Sequence, residues 1–241
     1  FNVFSTALLL PFYKQLEKLA ILVVKDAPEK KVQDETLALL DDRFMDTPSV
    51  ATMQCKKVAA KMAQLSRDSI MAAMGLVDSF DEDKFNYVDL LESKIDRYED
   101  TLSAYIVKLE RQELSNDDNT ALSAILHNVG DLERISDHAK NISESALELH
   151  QKGLKFSPDA EREVGIYMNA VREIVNMAVD SFVEKDVEKA ASVGPLEEVI
   201  DEIHADVKNR HIERLRKGIC TIELGFILSD LGTNLERVAD H

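Results

Sequence analysis

Apolar residues recur every three to four positions from about residue 50 onward, which is the spacing of one face of an α-helix. Polar stretches such as "DEDK" (residues 81–84) and "LSNDDNT" (residues 114–120) interrupt this pattern. The intervals predict helices over about residues 50–80 and 85–112, a third helix that runs to residue 153, a fourth over 158–182, a fifth to about 217 and a sixth over 220–241. A Gly194–Pro195 pair is expected to break the chain between the fourth and the fifth helix. The pattern therefore predicts an all-α fold.

Two short words containing proline predict where helices begin. Thr47 precedes Pro48 and Ser49, and Ser157 precedes Pro158. A hydroxyl residue followed by proline is typical of a helix start, because the first helical N–H groups have no partner within the helix and proline lacks one. We expect one helix to begin near each proline.

Three words recur in the same order about a hundred residues apart. "VDSF" occurs at residues 77–80 and 179–182, "ESKID" (92–96) matches "EEVID" (197–201), and "LERISDH" (132–138) matches "LERVADH" (235–241). The offsets are nearly equal, and each copy spans three predicted helices. The sequence therefore predicts two tandem three-helix repeats, over residues 49–153 and 157–241, that bury their apolar faces against each other.

Residues 1–24 are the most apolar part of the chain and precede a charged connector, residues 25–48. Lys14, Glu17 and Lys18 interrupt the apolar run before it reaches the roughly 20 residues that a membrane span requires. Two readings stay open, an amphipathic helix packed on the bundle or the end of a membrane helix followed by basic residues. Periodicity alone favours the amphipathic helix.

The charge and cysteine content narrow the functional classes. With 29 Lys and Arg against 45 Asp and Glu, the net charge is −16, so the chain would repel a nucleic-acid backbone and no nucleic-acid partner is expected. Cys55 and Cys220 lie far apart within helical patterns, which favours two reduced core residues over a disulfide.

The repeated words place carboxylates four residues apart, and therefore on one face of a helix. Such pairs repel each other unless a cation lies between them, and sets of oxygen ligands suit hard ions such as magnesium, manganese, calcium or iron rather than structural zinc. The alternative is a solvated acidic face, paired with Arg134 and Arg237 in the two LER words. The candidate metal ligands are Glu92 and Asp96, Glu133 and Asp137, Glu197 and Asp201, and Glu236 and Asp240.

The polar residues beside these pairs have a different expected role. His138 and His241 follow the aspartates directly, which rotates them about 100° away from the carboxylate face. We expect them to form hydrogen bonds at a helix-packing edge rather than to bind metal. Asn141 continues the carboxylate face as an additional oxygen donor, and Asp78 and Asp180 of the "VDSF" words are expected to be structural.

The chain shows none of the common catalytic motifs. It contains no Gly-rich phosphate loop, no Gly-x-Ser-x-Gly and no His-Glu-x-x-His, and the Glu-x-x-His of ferritin-like di-iron bundles is also missing. The sequence therefore does not predict an enzyme.

"DLERISDHAKNISE" (residues 131–144) and "NLERVADH" (residues 234–241) resemble the two metal-motif helices of the PhoU family. The resemblance covers residues 50–241 and implies a six-helix bundle of two three-helix repeats. Acidic motifs that bind multinuclear metal clusters in some members match Glu133 with Asp137 and Glu236 with Asp240, and the remaining four carboxylates match companion positions. The resemblance implies iron, manganese or magnesium in preference to zinc, and a second repeat truncated at its C-terminal end.

"FNVFSTALLLPF" (residues 1–12) is similar to the end of the last membrane segment of bacterial sodium/phosphate cotransporters, many of which carry a PhoU-like C-terminal domain. This similarity reverses the preference for an amphipathic N-terminal helix. It implies a regulatory domain at the cytoplasmic face of the cell membrane that controls phosphate uptake through metal-dependent contacts. The expected partner is the transporter portion of the same chain or another phosphate transporter, with a homodimer and bound phosphate left open.

Two further functions remain as alternatives. The first is a stand-alone PhoU-type regulator of a phosphate ABC transporter and its sensor kinase. The second, from a different class, is a metal-carboxylate oxidoreductase or metal store, against which the missing Glu-x-x-His argues.

Overall fold

The computed structural model describes residues 34–241, and this part of the chain is helical without any β-strand. The predicted N-terminal helix or membrane segment, residues 1–24, lies outside the described residues, as does the first part of the connector, residues 25–33. No helix within residues 34–241 combines the length and apolar character needed to cross a membrane. The long helices are α1 (Pro48–Asp78), α2 (Glu82–Leu109), α3 (Asn116–Lys152), α4 (Pro158–Glu184), α5 (Val193–Arg216) and α6 (Ile222–Asp240).

Local capping explains most of the helix boundaries. The side chains of Asp81, Ser115, Ser157 and Thr221 each accept a hydrogen bond from a backbone N–H in the first turn that follows. Gly153 ends α3 with φ of 61°, a left-handed conformation that glycine adopts without steric cost. Helices α1 and α4 begin at Pro48 and Pro158 as expected, although the side chain of Thr47, unlike that of Ser157, makes no capping hydrogen bond. The described end of the connector contains two short 3₁₀ helices, Leu37–Leu39 and Asp42–Phe44.

The break predicted at Gly194–Pro195 is wrong. The chain leaves α4 at Lys185, whose φ of 59° is left-handed, and forms a short helix, Val187–Ala190, before α5 begins. Gly194 and Pro195 lie in the first turn of α5. Proline is tolerated there because the N–H groups of the first turn have no partner within the helix.

Each repeat is a three-helix unit, and the two units pack through equivalent helices. Helices α1, α2 and α3 contact one another, and so do α4, α5 and α6. Between the units, α1 packs on α4 and α3 packs on α6. One hydrophobic core runs through both units and includes Met62, Tyr98 and Ile142 from the first and Val171 and Leu231 from the second. The predicted all-α fold of two tandem repeats is confirmed.

Ion pairs connect the two units reciprocally at the α1–α4 contact. Asp180 accepts a hydrogen bond from Arg67 at 2.7 Å, and Asp78 accepts one from Arg172 at 3.2 Å. The two aspartates belong to the two copies of "VDSF", so each copy binds an arginine of the other repeat. Asp78 and Asp180 therefore have the structural role expected of them, as partners in ion pairs between the repeats.

The depth of the core can be tested with one substitution at two positions of α2. Leu102 is fully buried, whereas Leu90 is 64% exposed. We expect Leu102→Ala to lower the free energy of unfolding by about 2–5 kcal/mol, because it removes buried methylene groups and leaves a cavity. Leu90→Ala, the matched control, should change it by less than about 0.5 kcal/mol. Urea denaturation measures both values, and equal losses would contradict the described position of α2.

Candidate metal centres

The two LER words place apolar residues on one side of a helix and carboxylates on another. Leu132 and Ile135 of α3 are buried, as are Leu235 and Val238 of α6. These apolar residues belong to the core that the two repeats share. The carboxylates of the same words lie on a different side of each helix, where α3 meets α2 and α6 meets α5.

Reciprocal hydrogen bonds fix the contact between α3 and α6. Nδ1 of His138 lies 2.9 Å from Oδ1 of Asn234, and Nδ1 of His241 lies 3.2 Å from Oδ1 of Asp131. Asp131 and Asn234 occupy equivalent positions of the two repeats, and the two imidazole rings stack with centroids 5.6 Å apart. Both histidines therefore form the hydrogen bonds expected of them at a helix-packing edge.

One cluster of three carboxylates forms in each repeat. Asp96 of α2 meets Glu133 and Asp137 of α3, and one oxygen from each lies within 4.8 Å of the other two. In the second repeat, Glu197 and Asp201 of α5 meet Asp240 of α6 within the same distance. We call these the first and second acidic clusters. Each joins two consecutive helices of one repeat.

Two of the eight predicted ligands lie outside these clusters, each beside a nitrogen-containing side chain. Glu92 accepts a hydrogen bond from Nζ of Lys140 at 2.9 Å. Glu236 lies with Oε2 3.8 Å from Nδ1 of His204. Both glutamates remain close enough for their charges to act on cluster carboxylates, Glu92 on Asp96 and Glu236 on Glu197.

Two further predictions concern the arginine partners of the carboxylates and the role of Asn141. Asp240 forms an ion pair with Arg237 at 3.0 Å, so the arginine pairing that was the alternative to metal binding is present in the second repeat. The amide nitrogen of Asn141 donates to Oδ1 of Asn234 at 3.1 Å. The amide nitrogen of Asn141 is therefore engaged at the α3–α6 contact.

The acidic clusters raise the pKa of several carboxyl groups. Burial raises the pKa of Glu133, and the charges of Asp137, Asp96 and Glu99 raise it further. The pKa of Asp96 is raised by burial and then by neighbouring carboxylates, beginning with Glu92. In the second cluster, burial and the charges of Asp201 and Asp240 raise the pKa of Glu197. Each cluster therefore concentrates negative charge that a cation would neutralise.

Sequence reasoning missed Glu99 as a neighbour of the first acidic cluster. Its charge raises the pKa of Glu133 although the two residues lie on different helices. Glu99 follows Asp96 by three positions, which places it on the same face of α2. The available signal was therefore the continuation of the acidic face beyond the repeated word.

A family model described as the PhoU domain matches residues 59–146 and 166–241. The chain belongs to the PhoU family. The two matched segments correspond to the two three-helix units, so the predicted PhoU repeats are confirmed at the level of the family.

Curated relatives of this PhoU domain are named as accessory proteins of phosphate-specific transport systems. One from Thermotoga maritima, named phosphate-specific transport system accessory protein PhoU homolog 1, is 34% identical over 48% of this chain and 50% of its own length. Another from Aquifex aeolicus, named phosphate-specific transport system accessory protein PhoU homolog, is 27% identical over 76% of this chain and 82% of its own length. The chain therefore spans half the length of the Thermotoga relative.

Solved structures support the PhoU fold. The crystal structure of PhoU from Pseudomonas aeruginosa matches with a TM-score of 0.73 and 23% identity, covering 78% of this chain and 90% of that one. The phosphate transport system regulatory protein PhoU from Streptococcus pneumoniae matches with a TM-score of 0.70 and 18% identity, covering 80% and 90%. At these identities the likeness establishes the fold.

The charge repulsion in the first acidic cluster predicts a pH-dependent gain in stability for Glu133→Gln in chelator. A raised pKa in the folded state means that the ionised glutamate destabilises the fold, and that this cost disappears as pH falls through the raised pKa. At pH 7 the variant should be more stable than the wild-type chain by a few tenths of a kcal/mol for each carboxylate that no longer repels residue 133. The gain should shrink toward pH 4 in urea denaturation.

Glu173→Gln, on the exposed face of α4, is the matched control for this experiment. It removes one charge outside both acidic clusters and should show a smaller pH dependence. A gain for Glu133→Gln that grows as pH falls would contradict the described cluster.

Proposed function

We propose that this PhoU domain regulates a phosphate transport system through metal-dependent protein contacts, with hard metal ions bound at the two acidic clusters. The observation that carries this proposal is the recurrence of a three-carboxylate cluster at matching helix pairs of both repeats. Membership of the PhoU family supports the regulatory part, because relatives are named as accessory proteins of phosphate-specific transport systems.

The chemistry of the acidic clusters suits a hard cation. All six residues contribute carboxylate oxygens, the ligand type that magnesium, manganese and calcium prefer. Oxygens on opposite sides of such an ion are separated by about 4–5 Å, twice the metal–oxygen distance. The observed separations within 4.8 Å therefore fit a shared ion after small side-chain movements. Iron, manganese and magnesium remain the proposed ions in preference to zinc.

A bound ion would connect helices as well as neutralise charge. In the first repeat it would join α2 to α3 through Asp96, Glu133 and Asp137, and in the second it would join α5 to α6 through Glu197, Asp201 and Asp240. Without a cation, the carboxylates of each cluster repel one another across these contacts. Metal loading would therefore change the surface that a partner meets.

The names of the relatives favour a phosphate-specific transport system as the partner. They support the second reading of the sequence, a PhoU-type regulator of such a system, better than a domain of a sodium/phosphate cotransporter. The cotransporter reading depends on residues 1–24, which lie outside the described residues. A role at the cytoplasmic face of the membrane follows from either partner and belongs to the proposal.

Metal binding can be measured directly on the purified chain. We expect at least one manganese ion per acidic cluster by mass spectrometry, and loss of both in the variant Asp137→Asn plus Asp240→Asn. Saturating manganese should stabilise the wild-type chain by about 2.7 kcal/mol per site at a hundredfold excess over Kd, because the ion binds the folded state. The double variant should lose this gain.

Asp206→Asn is the matched control for metal binding. Asp206 is on α5 but is 73% exposed and lies outside both acidic clusters. This variant should retain wild-type metal content. Unchanged metal content in the double variant would refute the assignment of the clusters.

The regulatory role can be tested with membrane vesicles that contain a phosphate ABC transporter. We expect the manganese-loaded chain to bind these vesicles, and chelator or the double variant to abolish binding, because the clusters would no longer fix α2 on α3 and α5 on α6. Asp206→Asn should bind normally. Parallel vesicles with a sodium/phosphate cotransporter identify the partner, and binding to either that persists in chelator would contradict metal dependence.

A further inference from the structure

Lys140 of α3 places its ammonium group across the contact between α2 and α3, beside the first acidic cluster. Its Nζ atom lies 2.9 Å from Oε1 of Glu92 and 3.1 Å from Oδ1 of Asp89, and both acceptors belong to α2. Lysine is protonated at neutral pH, so the chain itself supplies a cation at this acidic contact. Lys140 joins the same two helices that a metal ion would join at the first acidic cluster.

The position of Lys140 along its helix brings this cation close to the cluster. Lys140 follows Asp137 by three residues on α3, and side chains at this spacing share one face of a helix. Glu92 precedes Asp96 by four residues on α2, with the same result. The bond between Lys140 and Glu92 therefore lies about one helical turn from the cluster, and the charge of Lys140 acts on Asp96.

The two repeats differ in the use of the first glutamate of the matching words. Glu197 of "EEVID" is a member of the second acidic cluster, whereas Glu92, at the matching position of "ESKID", is not a member of the first. Lys140 explains this difference, because it holds the Glu92 carboxylate at hydrogen-bond distance. A carboxylate oxygen engaged by an ammonium group is not available to a metal ion.

Glu236, the remaining predicted ligand of the second repeat, is held less firmly than Glu92. Its Oε2 atom lies 3.8 Å from Nδ1 of His204, which is longer than a hydrogen bond. Glu236 can therefore turn toward an ion without giving up a hydrogen bond to His204. Glu92 must first leave Lys140.

We infer that Lys140 lowers the affinity of the first acidic cluster for hard cations, by keeping Glu92 from the ion and by placing a positive charge beside it. The first effect withholds an oxygen ligand, and the second repels the ion. Lys140 is therefore a positioning residue that acts through Glu92. The inference rests on the proposed metal binding and adds a residue that tunes it.

The test measures the first cluster alone, in a parent chain whose second cluster is disabled by Asp240→Asn. Isothermal titration calorimetry with manganese gives the affinity. We expect Lys140→Met, which keeps the aliphatic stem and removes the charge, to tighten binding by about tenfold, the scale of effect that outer-shell residues have on bound metals. Lys140→Arg, which keeps the charge, should stay within about twofold of the parent.

Lys152→Met is the matched control. Lys152 also lies on α3 and bonds to two carboxylates, those of Glu148 and Glu223, at 2.7 Å each, and neither belongs to an acidic cluster. Its distance from Lys140 is about 18 Å along the helix, which exceeds the Debye length at physiological salt. This variant removes the same charge from the same helix and should stay within about twofold of the parent.

A double-mutant cycle tests the role of Glu92. Glu92→Gln alone should not tighten binding, because Lys140 keeps its charge beside the cluster. In the Lys140→Met chain, Glu92→Gln should remove most of the gain, because the glutamate that Lys140 released is then no longer a ligand. Retention of the full gain in the double variant would overturn the role of Glu92.

Thermal stability distinguishes this role from a purely structural one. In chelator, Lys140→Met should melt below the parent, because the ion pair between α2 and α3 is lost. At one fixed manganese concentration, its melting temperature should rise by more than that of the parent, because tighter binding stabilises the folded state further. A smaller rise would contradict the inference. Should Lys140→Met not fold, Lys140→Gln takes its place with the same expectations.

The outcomes separate this inference from the proposed metal function. Equal, measurable affinities of the parent and Lys140→Met would overturn the inference and leave the metal function intact. Binding to Lys140→Met chains but not to the wild-type chain would support the inference and contradict the metal function. Absence of binding in every variant at about 10 mM manganese would overturn both.

Discussion

The contact between α3 and α6 is the constraint on which the rest of the structure depends. These equivalent helices meet through two matching heptapeptides, with Leu132 and Leu235 buried in the shared core. His138 and His241 then bond across the contact to equivalent positions of the opposite repeat. Because the apolar side of each word is committed to this contact, its carboxylates are left to face the second helix of their own repeat.

Charge distribution links this architecture to the proposed chemistry. Six acidic residues meet in the two acidic clusters, where burial and neighbouring charges raise the pKa of Asp96, Glu133 and Glu197. A hard cation would relieve that repulsion and join two helices at once.

Much of the fold was predictable from the sequence, because helical periodicity and the repeated words report directly on local structure. Six of the eight carboxylates that the words singled out meet in the two clusters. Glu92 and Glu236 could not be distinguished from the others, since their pairing with Lys140 and His204 depends on packing between helices. The Gly194–Pro195 error arose because proline is as acceptable in a first helical turn as in a break.

The reciprocal ion pairs of Arg67 and Arg172 had no signal in the sequence, because neither arginine lies within a repeated word. The sequence motifs predicted which side chains share one face of a helix. The partners of those side chains on other helices could be identified only from the structure.

The central claim is that each repeat uses its acidic cluster to bind a hard cation. The most direct test is anomalous diffraction from crystals of the chain grown with manganese. The account predicts anomalous peaks in contact with Asp96, Glu133 and Asp137 and with Glu197, Asp201 and Asp240. Crystals soaked to saturation in manganese that show no peak at either cluster would contradict it.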